Sequence, residues 1–207
     1  MKIFSKIISW IFHPLLMPTY GIILVMAYTY LAVFSSEVKL LLTGSTFVLT
    51  CIIPGLLIFL LIKQGVTTDV ELTDRKERLV PYLIITVSLM ITVFFMVKMM
   101  VPVWLTYAII GSCFSSLAAM FINFYWKISA HTLAVGSLTG AAMGISLIHA
   151  MNPYWLFMAL FVIGGLVGTS RIYMGKHTFL QVLGGFCLGL ICTFVATMMR
   201  FISILIN

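Results

Sequence analysis

Residues 78–98, R-L-V-P-Y-L-I-I-T-V-S-L-M-I-T-V-F-F-M-V-K, decide the solvent in which this chain folds. Arg78 and Lys98 bracket nineteen residues without a charge. As a helix that run is about 28 Å long, close to the ~30 Å hydrocarbon layer of a bilayer. It is apolar all round, whereas a helix on the surface of a water-soluble domain keeps one polar face. Strands of a membrane barrel would alternate polar and apolar residues in segments of ~10, so a β-barrel is excluded.

The same pattern recurs in both directions, with candidate spans at 15–34, 38–63, 79–98, 100–126, 130–150, 153–171 and 177–204. Across 207 residues, 62% are hydrophobic and 8% charged, and the mean hydropathy is +1.20. A water-soluble domain carries roughly a quarter of its residues charged. The expected architecture is an all-α, polytopic transmembrane bundle of six to seven spans, forming one domain over residues 1–207. No repeat, linker or low-complexity stretch divides it. No nucleic-acid partner is expected; membrane lipids are.

Lys2 and Lys6 precede an apolar run too long for a signal-peptide core and without a small-residue cleavage site, so no signal peptide is expected. Residues 3–12 are expected to form an interfacial helix, separated from the first span by Pro14 and Pro18. Cys51, Cys113, Cys187 and Cys192 all fall inside spans. That placement suits neither a disulfide framework nor a zinc site.

Charge placement says more. Glu37 stands alone, and the other four acids (Asp69, Glu71, Asp74 and Glu77) share the 64–78 loop with Arg75, Lys76 and Arg78. Further polar clusters lie at Lys127–His131 and Ser170–His177. Two spans separate the first cluster from the second, and two more the second from the third. An even number of crossings returns the chain to the same face, so all three clusters converge on one side of the membrane. The loops on the other side (35–38, Lys98 and 151–153) are nearly bare.

Within these clusters, residues 170–181 read S-R-I-Y-M-G-K-H-T-F-L-Q. This resembles S-R-x5-H-x3-D, the third motif of the type 2 phosphatidic acid phosphatase and vanadium haloperoxidase superfamily. Ser129-Ala130-His131 is similar to its second motif, P-S-G-H. D-R-K-E-R-L-V-P at 74–81 offers Arg78 and Pro81 toward the first, K-x6-R-P, at a different spacing. The resemblance covers about residues 70–190. It implies a membrane phosphatase, free of metal and other cofactors, acting on lipid phosphates or pyrophosphates. His177 would then be the nucleophile that becomes phosphorylated, and His131 the acid that protonates the leaving lipid alkoxide.

The residue types suit that chemistry. Phosphoryl transfer needs charge neutralised on the equatorial oxygens and a nucleophile in line. Arg171 offers a planar fork for two phosphate oxygens, and Arg78, Lys76 or Arg75 a second cation. Ser129 occupies an N-cap position, so N–H groups at 130–132 are expected to be free for an anion, and Ser170 borders the arginine. Lys127 and Lys176 serve equally as headgroup anchors or phosphate ligands. His13 and His149 read as interfacial polar side chains. The glycine series 136/140/144, 164/168 and 185/189 put small residues on single helix faces, which close helix packing explains.

Two departures matter. The motif's last Asp, which orients the nucleophilic histidine, is Gln181 here. At i+4 it still lies on the His177 face, and its neutral oxygen supports an imidazolium less than a carboxylate would, so slower turnover is expected. Asp74 or Glu77 folding over the site is a candidate substitute. In addition, a helical hairpin (79–126) separates the first two motifs, which usually share a loop. Two other functions fit the composition: a non-catalytic lipid-phosphate binder or transporter, and a metal-dependent prenyl or phosphoalcohol transferase using the acidic 64–78 loop. Nine Lys/Arg fall on the site face and three on the other by parity. The positive-inside rule would make that face cytoplasmic, but six of the nine are site candidates or their neighbours. Resemblance to bacterial members places the site instead on the periplasmic side of the inner membrane.

Overall fold

The computed structural model describes residues 2–65 and 76–206, with side chains over 2–65 and 77–199. The described residues form helices α1 (Lys2–Ile11), α2 (Met17–Tyr28), α3 (Ser36–Phe47), α4 (Ile53–Lys63), α5 (Leu79–Lys98), α6 (Val103–Ile122), α7 (Ala130–Ile148), α8 (Tyr154–Tyr173) and α9 (Phe179–Ile206). No strand occurs among them. Seven helical stretches are long and apolar enough to cross a membrane, each within a few residues of its expected place except the first.

That first span reaches from Lys2 to Tyr28 rather than from 15 to 34. Two prolines shape its interior: Pro14 opens a single 3-10 turn (Pro14–Leu16), and Pro18 stands in the first turn of α2, where a missing N–H costs nothing. At the far end Thr29 turns extended, and its hydroxyl accepts from the Leu31 N–H (3.2 Å), starting a second 3-10 turn over Tyr30–Val33. The second span also bends around a proline. Pro54 cannot donate to the preceding turn. The helix answers with a π-turn over Val48–Ile52, in which the Ile53 N–H reaches back to the Val48 carbonyl.

Helix α7 lies at the centre, packed by α2, α6, α8 and, most closely, α9. Two of the three glycine series expected to pack tightly, 136/140/144 and 185/189, are the two sides of one contact. A Cβ on Gly136 or Gly140 of α7 would collide with the carbonyls of Phe186 or Leu190 of α9, and one on Gly189 of α9 with the Leu133 carbonyl of α7. Gly185 sits over the Ser129 carbonyl. Without hydrophobic drive between helices in lipid, association rests on this van der Waals fit and on cross-helix hydrogen bonds. One such bond runs from the Thr132 hydroxyl to the Val182 carbonyl, 2.9 Å.

Gly140→Ala weighs two effects against each other. Helix propensity would gain up to about 1 kcal/mol, but overlap with a helical carbonyl, which cannot move without its helix, costs about 1–3 kcal/mol. The clash should win. A lower midpoint of thermal unfolding in detergent is expected, while Gly165→Ala, whose Cβ meets nothing within 4 Å, should hold or raise it. Equal midpoints for the two variants would show that the interface can separate at no cost.

Candidate functional site: an anion pocket at the N-terminus of α7

The site is assembled from four stretches of chain. Helix α8 ends in its own signature: Gly175 adopts φ +67°, its N–H donates to the Ile172 carbonyl (2.9 Å), and the Lys176 N–H donates to the Arg171 carbonyl (3.1 Å). This paired closure of a C-terminus needs a left-handed residue, which explains the glycine between arginine and histidine. The turn reverses the chain, so Arg171 and His177 face one space. Helix α7 contributes His131 from its first turn, capped by the buried Ser129. The short 3-10 turn Lys76–Arg78 delivers Arg78, whose Nη1 donates to the Ile128 carbonyl at 2.9 Å. The fourth stretch brings His13.

These side chains line a cavity of about 60 Å³: His13, Arg78, His131, Arg171 and His177, with Tyr82 and an apolar remainder. That is room for a small anion. Arg171 is 1% exposed and Arg78 4%. Among the described residues, no carboxylate is one of the lining side chains. Two guanidiniums in so dry a space favour an anionic guest strongly.

Hydrogen bonding fixes the tautomer of His177. The Thr178 backbone N–H donates to the side-chain oxygen of Gln181 (3.1 Å), so that oxygen, not the amide nitrogen, faces the histidine. The same oxygen lies 3.2 Å from Nδ1 of His177. An amide oxygen only accepts; Nδ1 therefore carries the hydrogen. Nε2 is left with its lone pair. Burial, then Arg78, Arg171 and Lys127, lower the His177 pKa to about 3, against which the Gln181 bond raises it. The ring is therefore neutral at ordinary pH. His131 lies edge-on to His13, ring centroids 5.4 Å apart, and within hydrogen-bonding reach of the Ser9 backbone. On His13, Nδ1 accepts from the Leu15 N–H (3.4 Å), which leaves a neutral ring protonated at Nε2.

No family model matches the chain. Nor does any curated protein or any solved structure. The site stands on its own geometry.

Four of the residues singled out in the sequence, Arg78, His131, Arg171 and His177, line one cavity, with Gln181 behind the last. Ser129 and Ser170 are buried beside the cavity without lining it. The Ser129 hydroxyl accepts from the Thr132 N–H (3.5 Å), so the expectation of free N–H groups at 130–132 fails for the last of them. Lys127 and Lys176 do not line the cavity, although Lys127 is near enough to act on His177. Arg75, Asp74 and the side chain of Lys76 lie outside the described residues. Glu77 is half-buried and does not line the cavity. The residue bonded to Nδ1 of His177 is Gln181.

His13 is the residue the sequence reading passed over as interfacial. Parity would have found it, since the N-terminus lies on the same side as the 64–78 loop. His149, at the other end of α7, packs against Trp104 and Tyr30 instead.

The lowered pKa has a direction that can be tested. A depressed value means that His177 stays unprotonated from alkaline pH down to about 3. Its ring resonances, assigned with His177→Ala, should not titrate between pH 5 and 8. Orthovanadate in the cavity, as an anion beside the ring, should move the midpoint upward. A midpoint near 6.5 in the empty protein would mean that the ring is not held between the two guanidiniums.

Proposed function

We propose that this protein is a metal-independent membrane phosphatase that hydrolyses a phosphomonoester or pyrophosphate carried by a lipid. The observation carrying the reading is the orientation lock on His177: a neutral imidazole whose Nε2 lone pair is directed away from Gln181, beside a cavity lined by Arg78 and Arg171. In the first step Nε2 attacks phosphorus, the bond from phosphorus to the lipid oxygen breaks, and His131, as the imidazolium that a bound phosphate anion favours, gives the leaving alkoxide a proton. Arg78 and Arg171 neutralise the equatorial oxygens, the task a divalent cation performs elsewhere. In the second step water attacks the phosphohistidine, His131 takes its proton, and phosphate leaves with His177 neutral again. The Gln181 oxygen supports the imidazolium-like character that develops on His177 in both steps.

Supporting this, the cavity lies at the first turn of a membrane-spanning helix, where a headgroup can sit in the cavity with its hydrocarbon at bilayer depth. The residues also stand in the S-R-x5-H and S-x-H spacings of the phosphatase motifs. On that resemblance the site-bearing face is the periplasmic one of a bacterial inner membrane. A lipid-phosphate binder would share the cavity but not the covalent step, so the covalent step decides between them.

Lipid phosphate labelled in the phosphoryl group, reacted with purified protein and quenched in alkali, should leave label on His177. His177→Ala should abolish both label and phosphate release. His131→Ala should lower kcat by about 10²–10⁴-fold, less for p-nitrophenyl phosphate, whose leaving group needs no proton. Gln181→Asp should preserve or raise turnover, and EDTA should leave it unchanged. Binding of the lipid phosphate without label or release would make the protein a carrier rather than an enzyme.

A further inference from the structure

A second and larger cavity, of about 120 Å³, adjoins the anion pocket. Its walls come mainly from α2, α5, α6 and α7, and on α7 it extends from Ala130 to Ser146. Sixteen helical steps correspond to about 24 Å, most of the depth of a hydrocarbon layer. At the α7 N-terminus it shares Pro14, Leu15, Tyr82, Ile85 and Ala130 with the anion pocket, so the two spaces adjoin. Spread over about 24 Å, a volume of about 120 Å³ makes this a narrow cavity.

The lining is narrow-walled and chemically quiet. Gly21, Ala108, Ala134, Ala141 and Ala142 leave the space that larger side chains would fill. Most of the hydroxyls that reach it are engaged within the protein, among them Ser115 with Ser137 (3.1 Å), Ser116 with Thr86 (2.9 Å), Ser112 with the Ala108 carbonyl (3.2 Å) and Thr50 with the Leu15 carbonyl (3.3 Å). A channel that offers water so few partners suits hydrocarbon. A lipid tail gains little burial by leaving the bilayer, since both surroundings are apolar. What the channel supplies is selection by shape, with the tail's path fixing where the phosphate arrives.

We propose that this channel holds the substrate's tail, and that the protein selects a phosphate or diphosphate borne on one linear chain, alkyl or isoprenoid, over two-chain glycerophospholipids. The proposal deepens the phosphatase reading and rests on it for turnover, but not for binding.

The test therefore has a binding arm and a turnover arm. Hexadecyl phosphate with a diazirine near its chain end, photolysed with the full-length protein in detergent, should label channel residues such as Leu105, Ile109 or Ile145. Label confined to outward-facing Phe94, Phe114 and Phe161 would overturn the proposal. In turnover, hexadecyl and farnesyl phosphates should exceed dioleoyl phosphatidate in kcat/KM by about tenfold or more, and the better of the two names the chain type. Ala141→Phe, placed partway along the channel, should shift the preferred alkyl chain to shorter lengths. Equal kcat/KM for one- and two-chain substrates would also overturn it. Channel labelling without hydrolysis of any substrate would leave the tail site standing and remove the catalytic reading.

Discussion

Everything at the site depends on how closely two helices approach. Helices α7 and α9 interlock through glycines, and the place where they first meet is the place where the chemistry is held. Gly185 lies over the Ser129 carbonyl, the Ser129 N–H donates to the Gln181 carbonyl (3.3 Å), and the Thr132 hydroxyl donates to the Val182 carbonyl. His131 is thereby positioned by the same contact that positions His177 and Gln181. Were the helices held apart by one methyl group, the two imidazoles would separate by an amount that phosphoryl transfer tolerates poorly. The glycine stripes thus stand behind the site although none carries a functional group.

The second constraint is charge. Two arginines and three histidines around one cavity, with no carboxylate among its described lining residues, would repel one another if all were protonated. The protein relieves this by keeping His177 neutral, and the field that lowers its pKa is the field that would hold a dianion. A carboxylate in place of Gln181 would ease burial of the cations and also compete with the phosphate for them. The neutral amide orients the ring while leaving the positive potential to the ligand. On the proposed mechanism, slower chemistry and firmer anion binding would both follow from an amide at this position.

The sequence makes the spans legible because length and hydropathy suffice for them, and parity brings the polar clusters together without any contact information. The turn from Arg171 to His177 is readable too, since only a left-handed Gly175 closes it. Helix orientation is less readable. Stretches that are apolar all round give no amphipathic signal for which side faces inward, so only glycine and hydroxyl positions mark the buried sides. His13 was missed for a related reason: between two prolines and beside an apolar run it looks like a boundary residue, and only the fold brings its ring to His131. The channel was invisible because a cavity is a sum of small side chains from several helices, none unusual alone.

Those small side chains also answer how a bundle in lipid carries so many buried hydroxyls. An unsatisfied hydroxyl in hydrocarbon costs several kcal/mol. Here Thr29, Thr50, Thr86, Thr92, Thr139 and Thr197 each donate to the carbonyl four residues before, a bond made within one helix and needing no neighbour. Ser115–Ser137 and Thr86–Ser116 tie one helix to another by hydroxyl pairs, and both Ser115 and Ser116 line the channel. Two larger apolar residues at either pair would pack the helices as firmly and fill the space between them. Serine keeps the helices joined while leaving the space open, so the polar residues of this bundle are what allow it an apolar interior void.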